Sequence, residues 1–315
     1  MNLKRAVPFL FDAFIIRKPV PLVAEIDLNQ SVRDSKQSDR HSRCIPDFLK
    51  SIGVRRITVN CRSIEHAQAA AAVLAGAFKH GIFTSLIATP ESYLELGKMA
   101  ETAGSLQFRI DSIRPGSRDA KAERHFQFLV RGLEAAAGNG RPLCLLTSMN
   151  RYNCSHVEDL VHLAGMYRTI IGFEPMGMPS GQMSSPWEEA PDKESYQSAV
   201  ATLMALKRTW QSRFIRNSLS GLLHIYGHPD YNGLACSAGR LFFTIIGSGE
   251  IIPCPFSEAI TPGFPISLEN EPSACAQLLN KSLVSCRGCG FIGRTELNFF
   301  GSGRLLPLIH LSRLL

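Results

Sequence analysis

Residues 142–175 decide the fold, and they read PLCLLTSMNRYNCSHVEDLVHLAGMYRTIIGFEP. The two ends of this stretch, residues 142–148 and 169–175, are short runs of large apolar residues, as in buried strands. Between them, apolar side chains recur at helical spacing over residues 157–164. The stretch therefore predicts a strand, a helix and a second strand, which is the repeating unit of a parallel sheet.

The same alternation runs through the chain before residue 217. Helix starts are indicated by Thr89 followed by Pro90, and by Ser155 with Glu158 at the spacing of a capping box. Six strands alternating with helices predict an α/β fold whose parallel sheet is open or partly closed into a (β/α)6 barrel. The four further runs with the character of buried strands are residues 21–28, 55–61, 82–88 and 106–111.

Two longer helices are predicted over residues 64–80 and 193–214 from the spacing of apolar side chains. Before the second helix lies a long segment, residues 176–191, in which no helix or strand is indicated. Ligands of parallel α/β sheets bind at the carboxyl ends of the strands. We therefore expect this segment to be a lid or a binding loop.

The composition changes after about residue 217, where Gly, Pro, Ser and Cys become frequent. One β-hairpin is predicted there, with strands at residues 241–246 and 250–253 joined by a Gly-Ser-Gly turn. We predict four parts on this basis. They are an N-terminal amphipathic segment, residues 1–19; a barrel, residues 20–216; a cysteine-rich domain, residues 217–298; and an apolar tail, residues 299–315.

Composition and charge narrow the class of protein. The 315 residues are 45% hydrophobic and 19% charged, which excludes a low-complexity disordered chain. No apolar run reaches the roughly 20 residues of a membrane helix, and no signal-peptide cleavage site is recognised, so a cytoplasmic protein is expected. The net charge of +7 suits an anionic ligand, but the basic residues are scattered and no nucleic-acid partner is expected.

Five of the nine cysteines lie after residue 217, and four of these form two pairs. Cys236 and Cys254 bracket the predicted hairpin, whereas Cys286 and Cys289 form a CxxC turn with glycine beside it. Four thiolates in two such pairs are typical of one zinc ion or one iron–sulfur cluster. Four buried thiols without a metal are a third interpretation, which leaves the CxxC spacing and the glycines without a reason.

Cys236, twelve residues, Gly249, four residues and Cys254 resemble the opening signature of SPASM and twitch domains. Those auxiliary-cluster domains follow the barrel of radical S-adenosylmethionine (SAM) enzymes. No cysteine follows Cys289, so the resemblance is to the shorter twitch pattern and implies one auxiliary [4Fe–4S] cluster on the four paired cysteines. Cys275 fits no position of the pattern and is expected to be a buried thiol.

This resemblance covers about residues 20–295 and implies a partial TIM-like barrel followed by a twitch domain. In length and cysteine arrangement the chain is similar to the 2-deoxy-scyllo-inosamine dehydrogenases within that family. The family's defining CxxxCxxC motif, which holds the cluster that SAM chelates, should follow the first strand. Ser31, Ser35 and Ser38 stand at its three ligand positions, so the motif here is SxxxSxxS.

A serine hydroxyl has far too high a pKa to replace a thiolate, so the chain as written should not hold this first cluster. Two interpretations follow from the serines. Three cysteines have been replaced in an engineered variant, which we favour because natural loss would seldom reach serine three times. Alternatively, the protein is a naturally degenerate homologue.

Further positions carry over from the family one residue at a time. Gln37 stands where an aromatic residue usually lies near the adenine, and residues 59–62 read VNCR where a GGE segment usually binds the SAM amino group. Both departures weaken the match to the usual pose of SAM. Polar residues at the strand ends match better, and the resemblance implies that SAM contacts Asp111, Ser112, Asn150 and Arg151. It also implies that the backbone of residues 172–175, Glu174 included, meets the adenine.

The resemblance implies an enzyme that natively cleaves SAM to a 5′-deoxyadenosyl radical and modifies or oxidises a small-molecule or peptide substrate. The auxiliary cluster would accept an electron, and flavodoxin or ferredoxin would be the electron donor. The alternatives are a non-catalytic binding or partner protein and a zinc-stabilised α/β protein. The apolar, weakly basic ends, residues 1–16 and 299–315, predict packing on the barrel or on a partner, or peripheral membrane contact.

Overall fold

The chain divides into two compact units in a computed structural model. The first unit comprises Met1–Ser85, Ala235–Cys286 and Glu296–Leu315, and the second comprises Leu86–Leu234 and Arg287–Thr295. The predicted boundaries at residues 19, 216 and 298 stay predictions. The structure describes residues 22–29, 35–111, 113–114, 119–176, 189–231, 233–255, 265–281 and 289–302.

Five strands of the first unit lie side by side in the order β2-β1-β7-β8-β9. Its strands are β1 (Val23–Asp27), β2 (Arg56–Asn60), β7 (Phe242–Ile246), β8 (Glu250–Ile252) and β9 (Ile266–Ser267). β1 pairs in parallel with β2 and with β7, whereas β8 and β9 run antiparallel. The predicted hairpin is therefore confirmed, and its first strand also pairs with β1 along the whole of both strands.

Three helices lie within the first unit: α1 (Ser35–Ser51), α2 (Ala67–Lys79) and α8 (Pro272–Lys281). α1 and α2 pack closely, because a Cβ atom at Gly76 of α2 would lie 2.5 Å from Cγ of Pro46 in α1. The buried face of α2 consists of alanines together with Val73 and Leu74. α1 begins at Ser35, within the serine motif, where the sequence analysis predicted no helix.

The second unit contains a parallel sheet with the order β6-β5-β4 and five helices. The boundary between the units falls within strand β3 (Phe83–Ala88), after Ser85, and within helix α9 (Ile292–Gly301), after Thr295. All six strands predicted before residue 217 are confirmed. The elements of this unit are β4 (Ser105–Arg109), β5 (Leu143–Met149), β6 (Ile170–Pro175), α3 (Pro90–Leu96), α4 (Ala120–Gly138), α5 (Val157–Met166), α6 (Lys193–Leu206) and α7 (Leu219–Tyr226).

The predicted helix starts have mixed outcomes. Oγ1 of Thr89 accepts a hydrogen bond from the Ser92 amide at 3.1 Å, so the cap of α3 is confirmed. The capping box at Ser155 is wrong, because a 3-10 turn, Cys154–His156, precedes α5 and His156 makes no side-chain cap. The predicted helix over residues 193–214 ends at Leu206 and is followed by a separate 3-10 turn, Trp210–Phe214.

Most of the expected binding loop, residues 177–188, lies outside the described residues. Among the helices that the structure describes, none is both long enough and apolar enough to cross a bilayer. Cys275 is fully buried, as predicted.

Candidate functional site

An ion-pair cluster lies at the carboxyl ends of β4, β5 and β6, and Arg109 is at its centre. The guanidinium group donates to Asp111 Oδ2 at 2.7 Å, to Glu174 Oε2 at 2.9 Å and to Ser148 Oγ at 2.9 Å. Burial by itself would lower the pKa of Arg109, but the two carboxylates outweigh this effect and raise the pKa above its ordinary value. Arg109 therefore stays charged and joins three strands.

Asp111 and Asn150 hold the chain where β4 and β5 end. Oδ1 of Asp111 accepts from the Ser148 amide at 2.6 Å, and the Asn150 side-chain amide donates to the Asp111 carbonyl at 3.1 Å. Oδ1 of Asn150 also accepts from the amides of Tyr152 and Asn153. Asn150 is buried, and both its amide nitrogen and its oxygen are bonded to backbone groups. The side chain therefore stabilises the turn after β5. Its contact with SAM stays a prediction.

Glu174 is buried within the second unit, and each of its two carboxylate oxygens accepts a hydrogen bond. One carboxylate oxygen accepts from Arg109, and the other accepts from the amide of Ile292 at 3.2 Å. Because Ile292 is the first residue of α9, the carboxylate caps the positive end of that helix. The predicted SAM contact here is one between the adenine and the backbone of residues 172–175, and it stays a prediction.

The C-terminal segment fits closely against β6. A Cβ atom at Gly172 would lie 3.1 Å from Cδ1 of Ile292, so the glycine leaves room for this side chain. A Cβ atom at Gly290 would lie 2.2 Å from Cγ of Pro175, which is far closer than atoms can approach. Residues 289–292 therefore occupy the surface of the sheet beside the ion-pair cluster, where a ligand of a parallel α/β sheet would be expected.

A second group of polar side chains, which we call the arginine–tyrosine cluster, comprises Arg114, Arg151, Tyr152 and Glu189. Cζ of Arg114 lies 3.8 Å from the centre of the Tyr152 ring, and Arg114 Nη2 donates to Glu189 Oε1 at 3.3 Å. Arg151 Nη2 donates to the Tyr152 hydroxyl at 2.6 Å. Of these four residues, sequence reasoning selected only Arg151. Strand-end position was the one available signal for Arg114 and Tyr152.

A network of amide groups connects the ends of β1 and β2 in the first unit. The side-chain amide of Asn29 donates to Asp27 Oδ1 at 2.9 Å and to the Asn60 carbonyl at 3.1 Å, and its oxygen accepts from the Arg62 amide at 2.7 Å. This network occupies the segment where the family's GGE sequence is missing. The network contains amides and one carboxylate, and none of these is the thiolate ligand that an iron–sulfur cluster requires.

The serine motif and its neighbours are only partly described. Ser35 and Ser38 lie in the first turns of α1, while Ser31, the side chains of residues 35–40 (Gln37 included) and Ser112 lie outside the described residues. The chemistry of the three serine side chains is nevertheless enough to decide whether they could hold an iron–sulfur cluster. Three neutral hydroxyls cannot replace three thiolates, so these residues do not fit the family's first cluster.

Of the four paired cysteines, three lie among the described residues. Cys236 and Cys254 are half-buried in the first unit, Cys289 is half-buried in the second, and Cys286 lies outside the described residues. Within the described part of the chain, no three His, Cys, Asp or Glu side chains form a group that could hold a metal ion. An auxiliary cluster or a zinc ion at these cysteines stays a prediction.

Comparison with known proteins adds evidence about the fold. No protein-family model matches the sequence. No curated protein matches it either. Streptococcus suis SuiB has a similar structure, with a TM-score of 0.57 and 11% identity over 90% of this chain and 70% of SuiB.

Two structures of native anSMEcpe with bound AdoMet and a peptide are similar over more of their length. The complex with the Cp18Cys peptide gives a TM-score of 0.56 at 10% identity, and the complex with the Kp18Cys peptide gives 0.57 at 12%. Each match covers 93% of this chain and 99% of the other. At such low identity the likeness shows the fold, and the predicted α/β partial barrel is confirmed.

Proposed function

We propose that this protein is a radical SAM-type protein that binds a peptide, and that the chain with its three serines does not cleave SAM. One observation carries the proposal: 93% of the chain matches the fold of anSMEcpe in a structure that contains both AdoMet and a peptide. A peptide substrate is preferred to a small molecule on this ground. The expected similarity to 2-deoxy-scyllo-inosamine dehydrogenases remains a separate proposal.

The chain's own side chains prepare the strand ends for a ligand. Arg109 holds the ends of three strands together through Asp111, Ser148 and Glu174. Asp111 remains about one-third exposed and keeps lone pairs for a hydroxyl or an amino group of a ligand. Since the serines do not fit the first cluster, no SAM-cleaving step is assigned to this chain.

For a form with cysteine at positions 31, 35 and 38, we propose reductive SAM cleavage followed by modification or oxidation of the peptide. Flavodoxin or ferredoxin is the proposed electron donor. An auxiliary [4Fe–4S] cluster at Cys236, Cys254, Cys286 and Cys289 would supply an electron acceptor when bound.

A non-catalytic peptide-binding protein is the second candidate. The observation that favours it is the serine motif itself, because Ser31, Ser35 and Ser38 stand where a SAM-cleaving protein would need three thiolates. On this reading the serines are natural and the fold is kept for binding alone.

The test is to change Ser31, Ser35 and Ser38 together to Cys and reconstitute the protein anaerobically with iron and sulfide. Iron should rise from about four to about eight atoms per chain, and reductant should produce 5′-deoxyadenosine from SAM. The matched control changes three exposed serines, Ser51, Ser155 and Ser273, to Cys. This control should bind no additional iron and should produce no 5′-deoxyadenosine.

The outcomes separate the candidates. The unaltered chain should cleave no SAM, and cleavage by it would contradict the proposal. Iron gained by the triple variant without cleavage would support the non-catalytic protein. Stoichiometric zinc and no iron in the unaltered chain would overturn the proposed auxiliary cluster.

A further inference from the structure

We propose that Arg114, supported by Tyr152 and Arg151, binds a carboxylate group of the peptide ligand. This inference rests on the proposed function, because it assumes that the ligand is a peptide, and it names the chemical class of residue that the peptide should carry. The binding group is the arginine–tyrosine cluster.

Arg114 has the donors that such a role requires. Its side chain is about one-third exposed, and among the described residues Glu189 is the only hydrogen-bond partner found for its guanidinium group. The bond to Glu189 uses one of five N–H donors at a long 3.3 Å. The remaining donors include a planar pair that matches the two oxygens of a carboxylate.

Tyr152 prepares the guanidinium group of Arg114 for binding. The 3.8 Å separation between Cζ of Arg114 and the ring centre is a close cation–π contact. The ring is held in turn, because the Tyr152 amide donates to the buried Asn150 and the hydroxyl accepts from Arg151. A guanidinium group that is already ordered loses less entropy when a ligand binds.

Glu189 now occupies part of the position that the ligand's carboxylate would take. Its backbone carbonyl accepts from the Arg151 amide at 2.9 Å, which fixes Glu189 beside the cluster, and its side chain is about one-third exposed. An exposed single bond of this kind is weak. A ligand with two correctly placed oxygens should displace it or share Arg114 with it.

The surrounding charges agree with this assignment. Asp111 and Glu174, the other carboxylates described at these strand ends, are bonded to Arg109. Arg114 follows β4 and Tyr152 follows β5, so the cluster lies at the strand ends where parallel α/β sheets bind ligands. Glu189 is therefore the carboxylate with which the ligand competes.

The experiment measures fluorescence anisotropy with two fluorescein-labelled peptides, Gly-Glu-Gly-Glu-Gly-Glu and Gly-Gln-Gly-Gln-Gly-Gln. The unaltered chain should prefer the glutamate peptide. Arg114→Gln should weaken its binding by about tenfold or more, and Arg114→Lys, which keeps the charge but loses the fork, should weaken it less. Glu189→Gln should tighten binding roughly two- to fivefold.

The matched control is Arg131→Gln, which removes one positive charge from an exposed position on α4 of the same unit and should leave binding unchanged. Thermal unfolding of each variant, followed by circular dichroism, verifies that the chain is folded. Equal binding of the two peptides, or no effect of Arg114→Gln in folded protein, would overturn this inference and leave the proposed function standing.

Two further outcomes are separable. Binding of neither peptide would overturn the proposed function and with it this inference. If SAM displaces the glutamate peptide from the unaltered chain but no longer binds the Arg114→Gln variant, the cluster binds the SAM carboxylate instead. That result would overturn this inference and leave the proposed function standing.

Discussion

At the scale of single residues, burial decides how reactive each cysteine thiol is. Cys61 and Cys154 are buried, and burial raises the pKa of their thiols to about 11 and about 12. Cys44, by contrast, is exposed. Because the thiolate is the reactive form, the two buried residues should be inert at neutral pH.

At pH 8, iodoacetamide should label Cys44 at least about 100-fold faster than Cys61 or Cys154, as measured by mass spectrometry of tryptic peptides. Cys44→Ser should remove the fast reaction. The raised pKa of Cys61 also implies that its contribution to stability is complete below about pH 9 and is lost as the pH rises towards 11, because the unfolded thiol ionises first. Equal labelling of Cys61 and Cys44 would show that the first unit opens readily.

At the scale of elements, the turn between β7 and β8 is held against α1 within the first unit. Gly249 has φ of +84°, a left-handed conformation that favours glycine. A Cβ atom there would lie 2.6 Å from Nδ1 of His41 in α1. The glycine of the twitch-like signature therefore has two independent physical reasons, one conformational and one steric.

Gly249→Ala should lower the free energy of unfolding by roughly 2–4 kcal/mol, as the sum of the left-handed backbone and the overlap with His41. Gly81→Ala is the matched control, since Gly81 has φ of +72° in the same unit with nothing within 4 Å of its Cβ position. It should cost only about 1–2 kcal/mol. Urea unfolding curves measure both, and equal losses would mean that His41 moves aside at no cost.

At the scale of the whole molecule, the first unit joins segments that are far apart in sequence. β7 pairs with β1 from Val23 with Phe242 to Asp27 with Ile246. The predicted cysteine-rich domain therefore contributes a strand to the sheet that contains β1. An independent barrel ending near residue 216 would leave β1 as an open edge.

A chain truncated after Arg216 should consequently aggregate or lose cooperative unfolding, whereas the full chain should remain soluble and unfold cooperatively. Size-exclusion chromatography and thermal unfolding by circular dichroism make the comparison. A monomeric truncated chain with a sharp transition would establish the predicted domain boundary and would show that β7 is dispensable.

Local features of the structure could be predicted from sequence. The six strands before residue 217 and the β7–β8 hairpin follow from runs of apolar residues and a glycine turn, and the Thr89 cap follows from one side chain and its neighbours. The burial of Cys275 was also predicted. Helix α1 was not, because its first half is polar and Pro46 lies inside it, which hides the helical spacing of Ile45, Phe48 and Leu49.

The chemistry that individual positions can support also came from sequence alone. Three serines cannot hold an iron–sulfur cluster wherever they lie, because the pKa of a hydroxyl does not depend on the fold strongly enough to make it a thiolate. Which side chains meet was decided only by the tertiary structure.

β1 pairs with a strand more than 200 residues later in the chain, and the Glu174 carboxylate accepts from an amide 118 residues away. Arg114, Tyr152 and Glu189 likewise come from separate segments of the chain. Such contacts depend on how strands pair and how segments pack, and residues adjacent in sequence carry no record of either.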